Sequence, residues 1–318
     1  MKSNLVFLCG FTSSGTDLLK NIVNAHSDIY ISGEFPFLPR LAKKYGSTVS
    51  QEMLPSVIED LGKIDVYHNL QKPDLKLTDF EEKSQYSLDE VYLQMLSNSS
   101  VKWIGNKTPQ NTENIDKLNS LFPEAKFILI VRDVRDIVIS RQKKWGKNLL
   151  LGSSKWSQRM QRGLTNLQSL PKERYLILTY ENLLKDLEGS LDKICTFLEV
   201  EYQQEMLNFH QYIPQKYYGK KNYGEPLVKN NTEKWRQELS DLEIKRIEEI
   251  TFPVLKFFDY PITKATNPRF INNQEKIFGY VHDIFSLVFV GNRFITEGTV
   301  SHRLKSIIFQ IKKQFYFN

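Results

Sequence analysis

The chain has 318 residues, 41% of them apolar and 25% charged, with two cysteines and a formal net charge of +6. This composition excludes a low-complexity or disulfide-stapled chain and suffices for one large α/β domain or two modest ones. The charge is uneven: residues 264–318 hold eight Lys/Arg against three Asp/Glu, or +5, leaving +1 for the first 263, so the basic balance is no sign of a nucleic-acid-binding fold.

The chain begins with Lys2 and then a strand pattern, without a long apolar stretch or a small-residue cleavage site, which reads as an unprocessed cytoplasmic protein. Leu5 to Cys9 is a continuous apolar run, short enough for a strand covered on both faces. Gly10 to Gly15 turns the chain with small residues, and from Thr16 the spacing becomes helical, with Leu18, Leu19, Ile22 and Val23 on one stripe. A helix opening on such a loop points backbone N–H groups and a positive dipole end at its ligand, which makes an anion site. The Gly10-x-x-x-x-Gly15 spacing is half of a nucleotide-triphosphate P-loop, but Thr16-Asp17 stands where Lys-Ser/Thr would serve the outer phosphates and magnesium.

Ile29 to Ser32 reads as a second strand, ending before Glu34, and residues 38–100 as helices and loops suited to a cap over the site. Lys102 to Gly105 is a brief strand followed by Asn106-Lys107-Thr108-Pro109, and Lys126 to Val131 is the clearest strand, ending at Arg132. A helix carries Asp136, Ser140 and Lys144 onward, another covers Trp156 to Leu167, and Tyr175 to Thr179 is a strand ending at Tyr180. Ser190 to Leu198 is helical. Repeated strand–helix units imply a parallel sheet with right-handed crossovers, whose ligands bind beyond the carboxyl ends of the strands. Gly10–Thr16, Glu34, Asn106-Lys107, Arg132 and Tyr180 each follow a predicted strand end, and this shared position marks a site. Cys9 and Cys195 sit in apolar segments as buried hydrophobes, and no Cys/His cluster suggests a metal.

GFTSSGTDLL…NAHSDI resembles the 5′-phosphosulfate loop of sulfotransferases, and VRDVRDIVIS resembles their 3′-phosphate segment. WIGNKTP, YLILTYENLL, FLEVEY and NNTEKWRQELS also match the family's segments in its usual order, over about residues 4–260, and the chain looks most similar to the tyrosylprotein and bacterial branch. The resemblance implies a P-loop-like α/β domain over residues 1–263, with 264–318 as a basic helical extension. It implies 3′-phosphoadenosine 5′-phosphosulfate (PAPS) as donor, 3′,5′-bisphosphoadenosine (PAP) as product, and no metal. The loop from Ser13 through Ser14, Gly15 and Thr16 to Asp17 would lie on the 5′-phosphosulfate, Arg132 and Ser140 on the 3′-phosphate with Lys144 beside them, Tyr180 on adenine, and Lys234 over the nucleotide. Glu34 falls where related enzymes keep a catalytic carboxylate and Lys107 where they keep a lysine beside the transferring group. The acceptor, a hydroxyl or amine of a small molecule, lipid, glycan or peptide, is not named by any segment.

The family usually has Arg or Lys before the Ser-Gly-Thr of the loop; here that position is Ser13, and Asp17 adds a carboxylate. A nucleotide-binding protein impaired in turnover is therefore the alternative to a working transferase. Plainer alternatives also stand: Arg132 as an i,i+4 partner of Asp136, Ser140 as a packing residue, Glu34 as a solvated acid, Tyr180 as core, and His26 as a packing histidine or a reserve base. In the tail, Leu304, Ile308, Ile311 and Phe315 share a helical stripe flanked by Arg303, Lys305, Lys312 and Lys313, which suits a helix docked on the body or, through residues 300–318, a membrane surface.

Overall fold

The computed structural model describes residues 4–35, 38–62, 75–96, 101–213, 227–228 and 230–286. In chain order these form β1 (Asn4–Gly10), α1 (Thr16–Val23), β2 (Ile29–Ser32), α2 (Leu38–Tyr45), β3 (Thr48–Ser50), α3 (Leu54–Gly62), β4 (Gln85–Ser87), α4 (Leu88–Leu96), β5 (Trp103–Lys107), α5 (Ile115–Leu121) and β6 (Lys126–Val131). Then come α6 (Val134–Trp145), α7 (Leu149–Gln168), β7 (Tyr175–Thr179), α8 (Tyr180–Lys185), α9 (Leu187–Leu198), α10 (Trp235–Glu238), α11 (Asp241–Phe257) and α12 (Asn273–Phe285). The chain divides into two compact units, Met1–Arg132 with Arg159–Thr232, and Asp133–Gln158 with Glu233–Asn318.

The first unit is the expected α/β fold. Its central sheet has the order β2-β5-β1-β6-β7, with every neighbouring pair parallel. Side chains alternate across the inner strands, so each strand feeds two apolar layers. Val6, Leu8, Ile128 and Ile130 pack with Leu19, Ile22 and Val23 of α1, Leu183 of α8, and Leu191 and Ile194 of α9. Phe7 faces the other way, its ring 5.5 Å from Phe122, 5.6 Å from Phe127 and 6.3 Å from Tyr92. Double coverage is why these strands read as unbroken apolar runs, each buried side chain contributing about 1.5–3 kcal/mol. Strand order reverses at β1, so the loop after it lies at the topological switch point.

Two local features differ from the sequence reading. β5 runs on through Asn106 and Lys107, which the reading placed beyond the strand. Asn106 is polar yet fully buried, and it is satisfied there by the Tyr92 hydroxyl and by Asn111, whose Nδ2 donates to Asn106 Oδ1 at 2.7 Å. The short antiparallel pair β3–β4 within residues 38–100 was not expected either, because each strand is only three residues long. Both cysteines are buried; burial pushes the Cys9 thiol up, and that of Cys195 up to about 11. No described helix is long and apolar enough to cross a membrane. The predicted stripe from Leu304 to Phe315 lies outside the described residues.

In the second unit a fully buried Arg135 organises the start of α6. The Asp133 side chain caps the helix, accepting the Arg135 N–H at 2.9 Å, and also takes the Arg135 guanidinium at 2.6 Å. Glu248 of α11 accepts from the other side of that guanidinium at 2.6 Å, and the Trp235 ring lies 3.7 Å from it. Glu248 also accepts the backbone N–H groups of Thr263, Lys264 and Ala265. Burial alone would raise its pKa, but these donors prevail and hold the carboxyl below its usual value. A lowered carboxylate pKa stabilises the fold above the ordinary carboxylate range and loses that contribution as pH falls through it. Glu248→Ala should therefore lower unfolding free energy by about 3–5 kcal/mol at neutral pH, because it leaves Arg135 buried and half-paired. Denaturant titration at neutral pH and below pH ~4 checks this, the gap between variant and wild type narrowing in acid.

Candidate functional site

The parallel register gathers the strand ends of the first unit. β5 lies between β2 and β1, with Lys107 opposite Leu8 and Asn106 opposite Ser32. The turn after β1, the segment after β2 and the last residue of β5 thus meet at one edge of the sheet, beside the end of β6 at Arg132 and of β7 at Tyr180.

The turn after β1 is fastened from below. Thr112 Oγ1 accepts the Gly10 N–H at 2.7 Å and donates to the Gly10 carbonyl at 2.8 Å. Within the turn, buried Ser14 accepts the Phe11 N–H through Oγ at 3.1 Å, and its own N–H donates to the Phe11 carbonyl at 2.9 Å. Ser14 therefore holds the loop's shape. Gly15 is the residue before α1, with φ +97°, and a Cβ there would lie 2.4 Å from the Tyr180 ring, so both the torsion and the space demand glycine. No side chain caps α1, and among the described residues the Gly15 and Thr16 amides have no acceptor. These orphan donors carry the positive end of the α1 dipole and suit an anion.

Arg132 stands beside this turn. Its guanidinium donates to the Ser13 carbonyl at 3.3 Å and to the Asn231 carbonyl at 2.7 Å, and stacks 4.2 Å from the centre of the Tyr180 ring. Tyr180 is buried, and its hydroxyl accepts from Asn231 Nδ2 at 2.7 Å. Thr16, Arg132 and Tyr180 thus belong to one edge of one sheet. Asn231 was missed by the sequence reading; its signal was its place in the NNTEKW segment, where only Lys234 was singled out.

Lys107 is the second centre. Its side chain is 4% exposed, and Nζ lies 2.8 Å from Asp17 Oδ1 and 2.8 Å from Glu34 Oε1. Two of its three N–H donors meet carboxylates, and the third has no partner among the described residues. Burial disfavours the ammonium, but the Asp17 and Glu34 charges outweigh it and raise the pKa above the ordinary lysine value. Glu34 and Asp17 are both about half exposed. Phe35 fixes the Glu34 segment by donating its N–H to Thr108 Oγ1 at 2.8 Å. A cation unnoticed in the sequence, Arg159, lies over the Phe11 ring at 5.1 Å and pairs with Glu113 at 2.9 Å.

Ser140, Lys144 and Lys234 lie in the second unit. Ser140 is half-buried on α6, Lys144 one turn later rests its ammonium 4.6 Å from the Trp145 ring, and Lys234 is the exposed residue before α10. Roles for these three rest on resemblance alone. His26 is a packing residue: Nε2 donates to the Glu201 carbonyl at 2.7 Å and Nδ1 accepts the Asp28 N–H at 3.0 Å, which occupies both ring nitrogens of the neutral form.

The family model described as "Sulfotransferase family" matches residues 6–204. A Caenorhabditis briggsae protein named putative protein-tyrosine sulfotransferase is 25% identical over 226 residues, covering 66% of this chain and 70% of its own. An Aquifex aeolicus protein without an assigned role is 23% identical over 284 residues, 86% of this chain. The present chain spans only 34% of that Aquifex protein and 40% of the Drosophila melanogaster protein-tyrosine sulfotransferase it also matches. Among solved structures, the sulfotransferase domain from the curacin biosynthetic pathway superposes with a TM-score of 0.59 at 18% identity, covering 82% of this chain and 99% of that domain. The sulfotransferase domain of the Synechococcus PCC 7002 olefin synthase gives 0.59 at 21% identity, with 82% and 98% covered, and both likenesses establish the fold. With the family model spanning more than half of the sequence, the chain belongs to the sulfotransferase family.

Proposed function

We propose that this chain transfers a sulfuryl group from PAPS to a hydroxyl or amine of an acceptor by in-line displacement. The observation that carries the reading is a buried ammonium, Lys107, held between two half-exposed carboxylates at the sheet edge where α1 begins uncapped. The residues fit the donor chemically: orphan amides at Gly15 and Thr16 suit its 5′-phosphosulfate, and the Arg132 fork suits its 3′-phosphate. When bound, PAPS would supply the electrophilic sulfur and a phosphate leaving group. Lys107 offers its remaining N–H to charge that builds on a departing or transferring oxygen. Glu34, held in place by that same ammonium, takes the proton of the acceptor nucleophile. Thr16 and Gly15 orient the anion through main-chain donors, and the Tyr180 ring holds the planar Arg132 fork stacked against it.

One observation favours a second reading. Asp17, in the first turn of α1, takes a donor of Lys107 and brings negative charge to the helix start, while Ser13 provides no cation. A protein that binds the nucleotide and turns over slowly or not at all is consistent with that charge balance.

Two measurements separate the readings. Calorimetry with PAP tests the site common to both: Arg132→Ala should weaken binding by about 1.5–3 kcal/mol, and Arg132→Lys should not restore it, since an ammonium cannot reproduce the fork. Absence of PAP binding by the unaltered chain would overturn both. Transfer of radiolabelled sulfate to an acceptor panel tests catalysis: Lys107→Met and Glu34→Gln should each reduce turnover by about 10²–10⁴-fold while PAP affinity changes little. Because the Lys107 pKa is raised, its ammonium is fully present below the ordinary lysine value and is lost only as pH rises through the higher folded value. The alkaline limb of the wild-type rate profile should therefore not fall before pH ~10.5 on account of this group. Turnover unaffected by either substitution would remove the proposed roles.

A further inference from the structure

Distant parts of the first unit meet on one aromatic ring. Tyr180 is the first residue of α8, and its main chain is fixed by the end of β7 and by the Thr179 cap, which accepts the Asn182 N–H at 3.3 Å. Its side chain still has two torsions to settle. One edge of the ring fills the space that Gly15 leaves by lacking a Cβ. The Arg132 guanidinium lies over the ring at 4.2 Å. The remaining hold is on the hydroxyl, which accepts from Asn231 Nδ2 at 2.7 Å. Asn231 also acts through its main chain, its carbonyl accepting from Arg132 Nη2 at 2.7 Å. One residue thus grips both members of the stack, the ring through its side chain and the fork through its carbonyl. Arg132 is 6% exposed and Tyr180 4%, so protein contacts, and not solvent, orient them.

We propose, on the donor reading given above, that Asn231 is a positioning residue that sets the preference for an adenosine nucleotide phosphorylated at the ribose 3′ position. A guanidinium recognises a phosphate through parallel N–H bonds in one plane, so the orientation of that plane matters as much as its charge. In Arg132 the plane is set by the ring it stacks on and by two carbonyls, Ser13 from Nη1 at 3.3 Å and Asn231 from Nη2. A ring held by stacking alone can still swing about its two torsions. The Asn231 amide removes that freedom by pinning the atom farthest from the main chain. The 5′ end of the nucleotide has different supports: the Gly15 and Thr16 amides belong to a turn shaped by Thr112 and Ser14. Loss of the Asn231 side chain therefore costs the 3′-phosphate its partner and spares the 5′-phosphate.

The test uses the full chain and calorimetry with PAP and with adenosine 5′-monophosphate, which differ only in the 3′-phosphate. Asn231→Ala should weaken PAP about three- to tenfold, the worth of one hydrogen bond. Affinity for the monophosphate should stay within about twofold, which also shows the variant to be folded. Tyr180→Phe keeps the ring and removes the hydroxyl, and should reproduce the loss. The double variant should bind PAP no worse than either single variant, because both changes remove the same bond. Unchanged PAP affinity in Asn231→Ala overturns the proposal. So does an equal loss of PAP and monophosphate, which would make Asn231 a general support of the fold. Losses that add in the double variant would assign Asn231 and Tyr180 to separate tasks and likewise overturn it. Absence of PAP binding by the unaltered chain would instead remove the donor reading on which the proposal stands.

Discussion

The site depends on a clamp that is not itself part of the chemistry: the Thr112 hydroxyl, bonded to both the N–H and the carbonyl of Gly10. This pair of bonds ends β1 at a fixed point and satisfies two backbone groups that would otherwise be buried without partners. From there the turn closes on itself through Ser14, so its remaining amides have no internal use. Their direction is set by the sheet, because the turn occupies the switch point and α1 leads away from it. Preorganised main-chain donors of this kind cost no reorganisation when an anion arrives. The fold places the donors, and the ionic groups around them are added from three other strand ends.

Those ionic groups form an unusual balance. Lys107 contributes one positive charge at the edge and Asp17 and Glu34 contribute two negative ones, with Arg132 held apart on Tyr180. In a partly dry setting, interactions between such charges are several times stronger than in water. The two carboxylates keep the ammonium charged despite its burial, and the ammonium in turn keeps one oxygen of each carboxylate oriented. A carboxylate and an ammonium are thereby positioned as one unit. Ser13 brings no cation to the turn, which is why the two functional readings diverge on rate and agree on binding.

The sheet was legible because its inner strands are covered on both faces, which writes them into the sequence as LVFLC and KFILIV. The site's edge was legible for a topological reason: in a parallel sheet all strand ends of one kind lie together, so polar residues after strands converge without any knowledge of contacts. The boundaries failed where a polar residue is buried, as at Asn106, since polarity then reads as a loop. Long-range pairings left no local mark. Nothing near Arg135 announces Glu248, nothing near Tyr180 announces Asn231, and Arg159 looks like any charged position on α7. Helical periodicity likewise tells which residues of α12 share a side, but not which side meets the protein.

Ser13 has a consequence beyond its missing charge. It adopts a left-handed torsion, φ 75°, and its carbonyl is held by the Arg132 guanidinium. That grip acts on the main chain and is blind to what the α-carbon bears. The torsion does discriminate, because the left-handed region admits glycine and small polar residues far more readily than β-branched ones, so the turn narrows which side chains can stand at this position.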